Sequence, residues 1–121
     1  MNQRVVAMIH VPRVQETVAW YETIGFTVAD SFVEDGEMNW ARLTFGESDV
    51  MFNAGGRPGT QPRREVDLYL HTLEVDVLYE RLKDRADVIE GVHDTFYGMR
   101  EFAIRDPNGF WVVFGQAATR R

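Results

Sequence analysis

The sequence has 121 residues, 45 % of them hydrophobic, and a formal net charge of −6 at pH 7. A chain of this length forms one domain or two small modules and can bury a real core. The acidic balance argues against nucleic-acid binding, which depends on Lys and Arg that neutralise phosphates. The chain has no cysteine, which excludes disulfides, thiolate metal sites and cysteine nucleophiles.

Neither a membrane segment nor a targeting segment is visible. No apolar run approaches ~20 residues, the length of a membrane-spanning helix. Met1 to Arg4 lead directly into an apolar strand, without the architecture of a signal peptide. These patterns predict a cytoplasmic protein that does not bind membranes.

The first half of the chain has the two-residue hydrophobic period of strands, interrupted by one helical stretch. Pro12 ends the first strand and Gly25 stops the helix. The predicted elements are a strand at Arg4–Val11, a helix at Val14–Ile24, and strands at Phe26–Val33, Trp40–Phe45 and Asp49–Phe52. Residues 54–64 are rich in Gly and Pro, which predicts a linker or mobile loop. The Arg63-Arg64 pair at its end is predicted to be solvated surface.

The second half repeats the same order of elements. The predicted elements are a strand at Val66–His71, a helix at Val75–Arg85, a short strand at Val88–Ile89, a loop at Gly91–Phe96, and a hairpin from Tyr97 to Gly115. The hairpin turns at Asp106-Pro107-Asn108-Gly109, where Asp106 can cap the turn and Gly109 tolerates a positive φ. His10 corresponds to His71 in this repeat. The fold class is therefore α+β, with tandem βαβββ modules at 1–53 and 65–117.

The period of two also predicts which side chains lie on the sheet faces opposite the helices. That set mixes aromatic, acidic and basic residues, and a solvent-facing surface rarely carries such a mixture. A ligand pocket or a dimer interface explains it better, and a second layer of core is the alternative. Its members include His10, Trp40, Arg42, Met51, Asp67, Tyr69, His71, Glu101, Trp111 and Val113.

Three motifs carry a family resemblance. Val11 to Tyr21 with Ile24-Gly25-Phe26 is similar to a "V-x-D…F-Y…L-G-F" opening, with Arg13 in place of the usual acid. Glu74 to Lys83 is similar to "D-V-D-x-L-Y-x-R-L", and Tyr97 to Gly109 to "W/Y-G-x-R-E-F…R-D-P-x-G". Together they resemble the vicinal oxygen chelate superfamily of glyoxalases, bleomycin resistance proteins and dioxygenases, and most of all its bleomycin-resistance branch.

The resemblance implies curved mixed sheets and a domain-swapped homodimer. Metal-dependent members place ligands at positions that correspond to Val6, Met51, Asp67 and Val113, of which only Asp67 can ligate. The usual metal site is therefore expected to be missing, and no cofactor is expected. Tyr97 stands where the bleomycin-resistance branch has an aromatic that stacks on the drug, and Trp40 is a candidate for a second stacking ring.

Two roles stay open for the acidic pair. Asp67 and Glu101 could act together as acid and base, or each could pair with Arg42 or Arg105. His10 and His71 are expected toward the rim of the predicted pocket, where they hydrogen-bond ligand or backbone.

The leading hypothesis is a metal-independent binding protein that sequesters a planar or cationic small molecule in a dimer cleft and confers antibiotic resistance. It has no catalytic residues. The ligand-binding residues are predicted to be His10, Trp40, Arg42, Met51, Asp67, Tyr69, His71, Tyr97, Glu101 and Trp111. One alternative is a lyase, isomerase or dioxygenase with a displaced metal at His10, His71 and Glu101. Another is a scaffold whose pocket is filled by side chains.

Overall fold

The computed structural model describes residues 3–58 and 63–118. The chain divides into two compact units, Met1–Pro58 and Gly59–Arg121. Each contains one four-stranded mixed sheet and one helix, which confirms the predicted α+β class and the tandem βαβββ order. Within the described residues, neither helix is long and apolar enough to cross a membrane.

The first module joins its first and last strands side by side. Its elements are β1 (Ala7–His10), α1 (Val14–Thr23), β2 (Thr27–Glu34), β3 (Glu37–Phe45) and β4 (Ser48–Asn53). The strand order is β1-β4-β3-β2, with β1 parallel to β4 and the other pairs antiparallel. One face of α1 is buried through Val14, Val18 and Tyr21. The Tyr21 ring lies 4.9 Å from the ring of Phe52, so an aromatic contact joins this helix to the sheet.

The second module repeats this arrangement. Its elements are β5 (Asp67–His71), α2 (Val75–Leu82), β6 (Asp87–Asp94), β7 (Met99–Arg105) and β8 (Trp111–Ala117). The strand order is β5-β8-β7-β6, with β5 parallel to β8. Phe102 and Phe114 stack at 4.8 Å on the face toward α2, where Tyr79 contacts Phe102. The opposite face, which we call the open face of the second sheet, carries the alternate residues.

The prediction of a short strand at Val88–Ile89 and a loop at 91–96 was wrong. β6 continues to Asp94 and pairs with β7 along its length. Two register shifts, between Val88 and Glu90 and between Glu90 and His93, break the alternation along this strand. Because β6 is also an edge strand with few buried side chains, its sequence lacks the apolar period that marks a strand.

The predicted hairpin is confirmed, and its turn is held by one carboxylate. Asp106 is 4 % exposed, and its Oδ1 accepts hydrogen bonds of 2.8 Å from the backbone N–H groups of Asn108 and Phe110. Gly109 has a φ of 89°, a left-handed conformation that glycine adopts without steric cost. The turn therefore has the geometry that the Asp-Pro-Asn-Gly sequence predicts.

Both ends of the predicted linker 54–64 bind to the module beside them. Ala54 donates its N–H to the Asn39 carbonyl at 2.9 Å, and Gly56 donates to Val11 at 3.2 Å. At the other end, the Arg64 guanidinium lies 4.5 Å from the centre of the Phe110 ring and donates to the Asn108 carbonyl. The expectation of solvated surface is confirmed for Arg63, whose side chain is half exposed, while Arg64 is partly buried. Both guanidinium groups also contact aromatic rings. Residues 59–62 of this linker, and residues 1 and 2 of the first predicted module, lie outside the described residues.

Candidate functional site

Strand register brings predicted site residues together on the open face of the second sheet. Asp67 on β5 lies beside Trp111 on β8, and Tyr69 lies beside Val113. One step further along, Gly115 on β8 lies between His71 and Glu101. Residues that are far apart in sequence thus form one continuous surface.

Glu101 is the polar centre of this surface. Its residue is only 5 % exposed, and its Oε2 accepts a hydrogen bond of 2.7 Å from the Tyr69 hydroxyl. The Tyr97 hydroxyl lies 2.9 Å from both carboxylate oxygens. The expected pairing of Glu101 with Arg42 or Arg105 was wrong. These arginines bind Asp49 at 2.8 Å and Asp87 at 2.7 Å instead.

Both phenols are held in their neutral form. Burial, followed by the hydrogen bond to Glu101, raises the pKa of Tyr69 well above its ordinary value. The hydrogen bond to Glu101 is the main cause that raises the pKa of Tyr97. Neither phenol is therefore set up to act as a base at neutral pH, and both serve as donors to a buried carboxylate.

Glycine at position 115 makes room for this arrangement. A β-carbon at that position would overlap the hydroxyl and the ring of Tyr69. The Tyr69 side chain therefore crosses the backbone of β8 at the level of Gly115 and reaches Glu101 on the next strand. A side chain at residue 115 would close this path.

A second polar cluster surrounds Trp111. The Arg63 guanidinium lies 3.8 Å from the centre of the indole ring, and its Nη2 atom lies 2.5 Å from Oδ2 of Asp67. Asp67 thus pairs with Arg63, and the expectation of Arg42 or Arg105 as its partner was wrong. The indole Nε1 of Trp111 is buried and has no hydrogen-bond partner within the described part of the chain. Such a buried donor without a partner is uncommon in proteins.

The two clusters line one cavity of about 220 Å³. Five of the predicted ligand-binding residues line the cavity: Asp67, Tyr69, Tyr97, Glu101 and Trp111. The remaining lining residues are Arg63, Glu90 and Val113. Its three carboxylates and one guanidinium give a formal charge of −2. The cavity can therefore attract a cation, offer an indole face to it and accept its hydrogen bonds.

Sequence reasoning missed Arg63 and Glu90 as lining residues. Arg63 stands in a segment without hydrophobic period, and Glu90 lies at the irregular register of β6. His71 was predicted in the site but does not line the cavity. Its ring contacts that of Tyr69 at 5.0 Å, so it borders the cluster through this tyrosine.

The remaining predicted residues belong to the first module. Arg42 lies beside Met51, which in turn lies beside Met8, on one face of the sheet. Trp40 lies beside Asn53 and is partly buried. His10 places Nδ1 at 3.2 Å from the Ala54 carbonyl oxygen, so it contacts backbone, but it lines neither the cavity of the second module nor that of the first.

The first module also has a cavity of about 420 Å³, between the start of α1 and the β2–β3 turn. None of the ten predicted ligand-binding residues lines it. Arg13, at its edge, forms an ion pair with Glu16 at 3.1 Å. Although larger, this cavity offers neither an aromatic face nor a buried polar group, so we place the candidate site in the second module.

The sequence profile of the Glyoxalase/Bleomycin resistance protein/Dioxygenase superfamily matches residues 4–114. The chain belongs to this superfamily. No match was found among curated proteins. The superfamily resemblance seen in the three sequence motifs is therefore confirmed over nearly the whole chain.

Several solved structures share the fold of this chain. TioX from Micromonospora sp. ML1 is 20 % identical, with a TM-score of 0.78 over 96 % of this chain and 99 % of that chain. A bleomycin resistance determinant encoded on the transposon Tn5 is also 20 % identical, with a TM-score of 0.67 over 98 % and 100 %. A glyoxalase/bleomycin resistance protein/dioxygenase from Alicyclobacillus acidocaldarius is 17 % identical, with a TM-score of 0.76 over 96 % and 92 %. At these identities the likeness concerns the fold alone.

The residues at the superfamily's expected metal positions do not fit a divalent ion. The side chains of Val6 and Val113 have no donor atom, and Met51 offers only a thioether. Asp67, the one carboxylate among them, is paired with Arg63. Within residues 3–58 and 63–118, no three His, Asp or Glu side chains come together in a group that could hold a metal ion.

Proposed function

We propose that this protein binds a small planar cation, without the help of a metal, in the cavity of the second module. The observation that carries the proposal is the acidic cavity in which Trp111 presents its ring beside Asp67, while Glu101 lies buried between two phenols. A planar cation gains from all three features, because it can stack on the indole and donate hydrogen bonds to carboxylates.

The size of the cavity limits what enters it. Pockets that enclose a drug-sized molecule measure roughly 300–1,000 Å³, whereas this one measures about 220 Å³. It therefore suits one charged, planar end of a longer ligand. The rest of the ligand then lies outside the cavity, against surface that a single module does not provide.

A homodimer could supply that surface, as the superfamily resemblance implies. Tyr69 is 40 % exposed and Tyr97 56 %, and the neighbouring Phe96 is 99 % exposed. These aromatic side chains beside the cavity are typical of a binding surface. We therefore propose that the ligand is sequestered in a cleft of a homodimer, in the manner of a bleomycin resistance protein. Light scattering coupled to gel filtration gives the mass that tests this part.

Calorimetric titration with bleomycin, a large cationic drug with planar aromatic rings, tests the binding proposal. We expect saturable binding with quenching of tryptophan fluorescence. In Trp111→Leu the affinity should fall by about fivefold or more, since stacking on an aromatic is worth about 1–3 kcal/mol. Trp20→Leu is the matched control, because Trp20 lies on α1 and lines neither cavity.

Two results would overturn the proposal. One is the absence of any heat or fluorescence change with bleomycin and with smaller planar cations. The other is stoichiometric metal in protein purified without chelator that is lost in His71→Ala, which would favour the displaced metal site at His10, His71 and Glu101. Among the described residues, no group of three His, Asp or Glu side chains could hold such a metal.

A further inference from the structure

Arg63 occupies the candidate site in the way that a bound cation would. Its guanidinium carbon lies over the Trp111 ring, 3.8 Å from the ring centre. Its Nη2 and Nε atoms lie 2.5 and 3.4 Å from the two carboxylate oxygens of Asp67. An aromatic face and a carboxylate that grips two N–H groups together recognise a planar, delocalised cation.

We propose that the Trp111–Asp67 part of the cavity is a subsite for guanidinium or amidinium groups, and that Arg63 fills this subsite until a ligand displaces it. This inference rests on the proposed function and makes its ligand class specific. A compact ammonium group is a poorer match, because it cannot stack on the indole while it meets both oxygens of Asp67. The arginine side chain thus reports the chemistry of the group that replaces it.

Arg63 can leave the subsite without unfolding the module. Its side chain is half exposed, and it is the more exposed partner of the pair with Asp67. It is held there by an exposed cation–π contact and an exposed ion pair. Each of these interactions is weak, so each raises only slightly the fraction of molecules in which Arg63 occupies the subsite. Removal of this internal competitor should therefore tighten ligand binding by about three- to tenfold.

Benzamidine and benzamide are the probes, because they share one shape and only benzamidine carries a planar cation at neutral pH. We expect Arg63→Ala to bind benzamidine about three- to tenfold more tightly than the unmodified protein, with no gain for benzamide. Asp67→Asn should weaken benzamidine binding in both backgrounds. Arg64→Ala is the matched control: it removes the same charge one residue away, but its guanidinium covers Phe110 and not Trp111.

The result separates this inference from the proposed function. If benzamidine and bleomycin bind to neither the unmodified protein nor Arg63→Ala, the proposed function fails. If benzamidine binds but Arg63→Ala gains nothing over the unmodified protein, only the displacement fails. An equal gain in benzamidine affinity in Arg64→Ala would also overturn the displacement, because the gain would then follow from the change in net charge.

Nuclear magnetic resonance of the Arg63 side chain tests the displacement without a comparison of affinities. The Nε–H signal of Arg63 should be shifted by the ring current of Trp111, and loss of the signal in Arg63→Lys assigns it. Saturation with benzamidine should move this signal toward the position of a solvent-exposed arginine. A signal that stays in place while benzamidine binds would overturn the displacement.

Discussion

The Tyr69 hydroxyl fills the space that a β-carbon on residue 115 would need. The addition of a single methyl group at Gly115 should therefore displace the Tyr69 side chain. It acts on Glu101 indirectly, because the Tyr69 side chain passes over residue 115 to reach that carboxylate.

Gly115→Ala should detach Tyr69 from Glu101 while the tyrosine itself remains. Burial and the bond to Glu101 raise the pKa of Tyr69 above the ordinary tyrosine value of about 10. We therefore expect one phenol to ionise at a lower pH in the variant, as seen by ultraviolet absorbance in alkaline titration. Gly91→Ala is the control, since its β-carbon meets the Tyr79 hydroxyl at an ordinary 3.5 Å. Equal titration curves for Gly115→Ala and the unmodified protein would contradict the argument.

The two phenols should be coupled energetically through Glu101. Tyr69→Phe or Tyr97→Phe alone leaves one donor on the carboxylate and should lower the free energy of unfolding by about 1–2 kcal/mol. The double variant leaves a buried carboxylate without either donor. We expect its loss to exceed the sum of the single losses by about 1 kcal/mol. Urea denaturation at pH 7 measures all four proteins, and strict additivity would show that the bonds are independent.

Stability should also fall at alkaline pH because of these phenols. Their pKa values are raised in the folded state, so the folded protein keeps protons that the unfolded chain releases. The stabilising contribution is complete below about pH 10 and is lost as the pH rises above that value. The unmodified protein should therefore lose stability between pH 9.5 and 11 more steeply than the Tyr69→Phe, Tyr97→Phe double variant, with unfolding followed by circular dichroism. Parallel losses would contradict this origin.

Asp106 should be the most sensitive position of the β7–β8 hairpin. Asp106→Ala removes an acceptor from two backbone N–H groups in a buried turn, which should cost about 1.5–3 kcal/mol. Asp106→Asn keeps an acceptor oxygen and should restore about half of the loss. Urea denaturation gives the numbers, and an alanine variant as stable as the unmodified protein would rule out this role of the carboxylate.

Gln116 should stabilise the start of α2. Its Oε1 accepts a hydrogen bond of 2.6 Å from the Val75 N–H, one of the groups that a helix leaves unpaired at its beginning. Gln116→Ala should therefore cost about 1 kcal/mol of unfolding free energy. Gln116→Glu keeps the acceptor and adds a charge that the helix dipole favours, so it should be at least as stable as the unmodified protein. The reverse order of these variants would contradict a capping role.

The sequence predicted the parts of the fold that local chemistry specifies. Val14, Val18 and Tyr21 recur with a helical period, and the Asp106 to Gly109 turn has residues that fix its own geometry. β6 escaped prediction because an edge strand with two register shifts needs no apolar alternation. β6 is a strand because it pairs with β7, and a hydrophobic pattern within β6 alone does not indicate that pairing.

The sequence allowed most residues of the candidate site to be predicted, but not which of their side chains bind each other. Asp67, Tyr69, Glu101 and Trp111 were predicted from their sheet face and Tyr97 from the family resemblance, and one cavity brings them together. Which groups bind each other depends on register and on small gaps such as the one at Gly115. The position of Arg63 depends on the path of the segment that precedes β5. That segment has no hydrophobic period from which its path could be predicted.

The parallel pairing of β1 with β4 and of β5 with β8 has a consequence for folding. Each sheet is completed only when the first and last strands of its module meet, as Ala7 meets Val50 and Asp67 meets Trp111. Such distant contacts must follow the closure of a long loop, which slows folding. The antiparallel hairpins are then expected to form first, and during synthesis the first sheet can close before Trp111 has left the ribosome. Trp111 of the candidate site is thus synthesised after every strand of the first sheet.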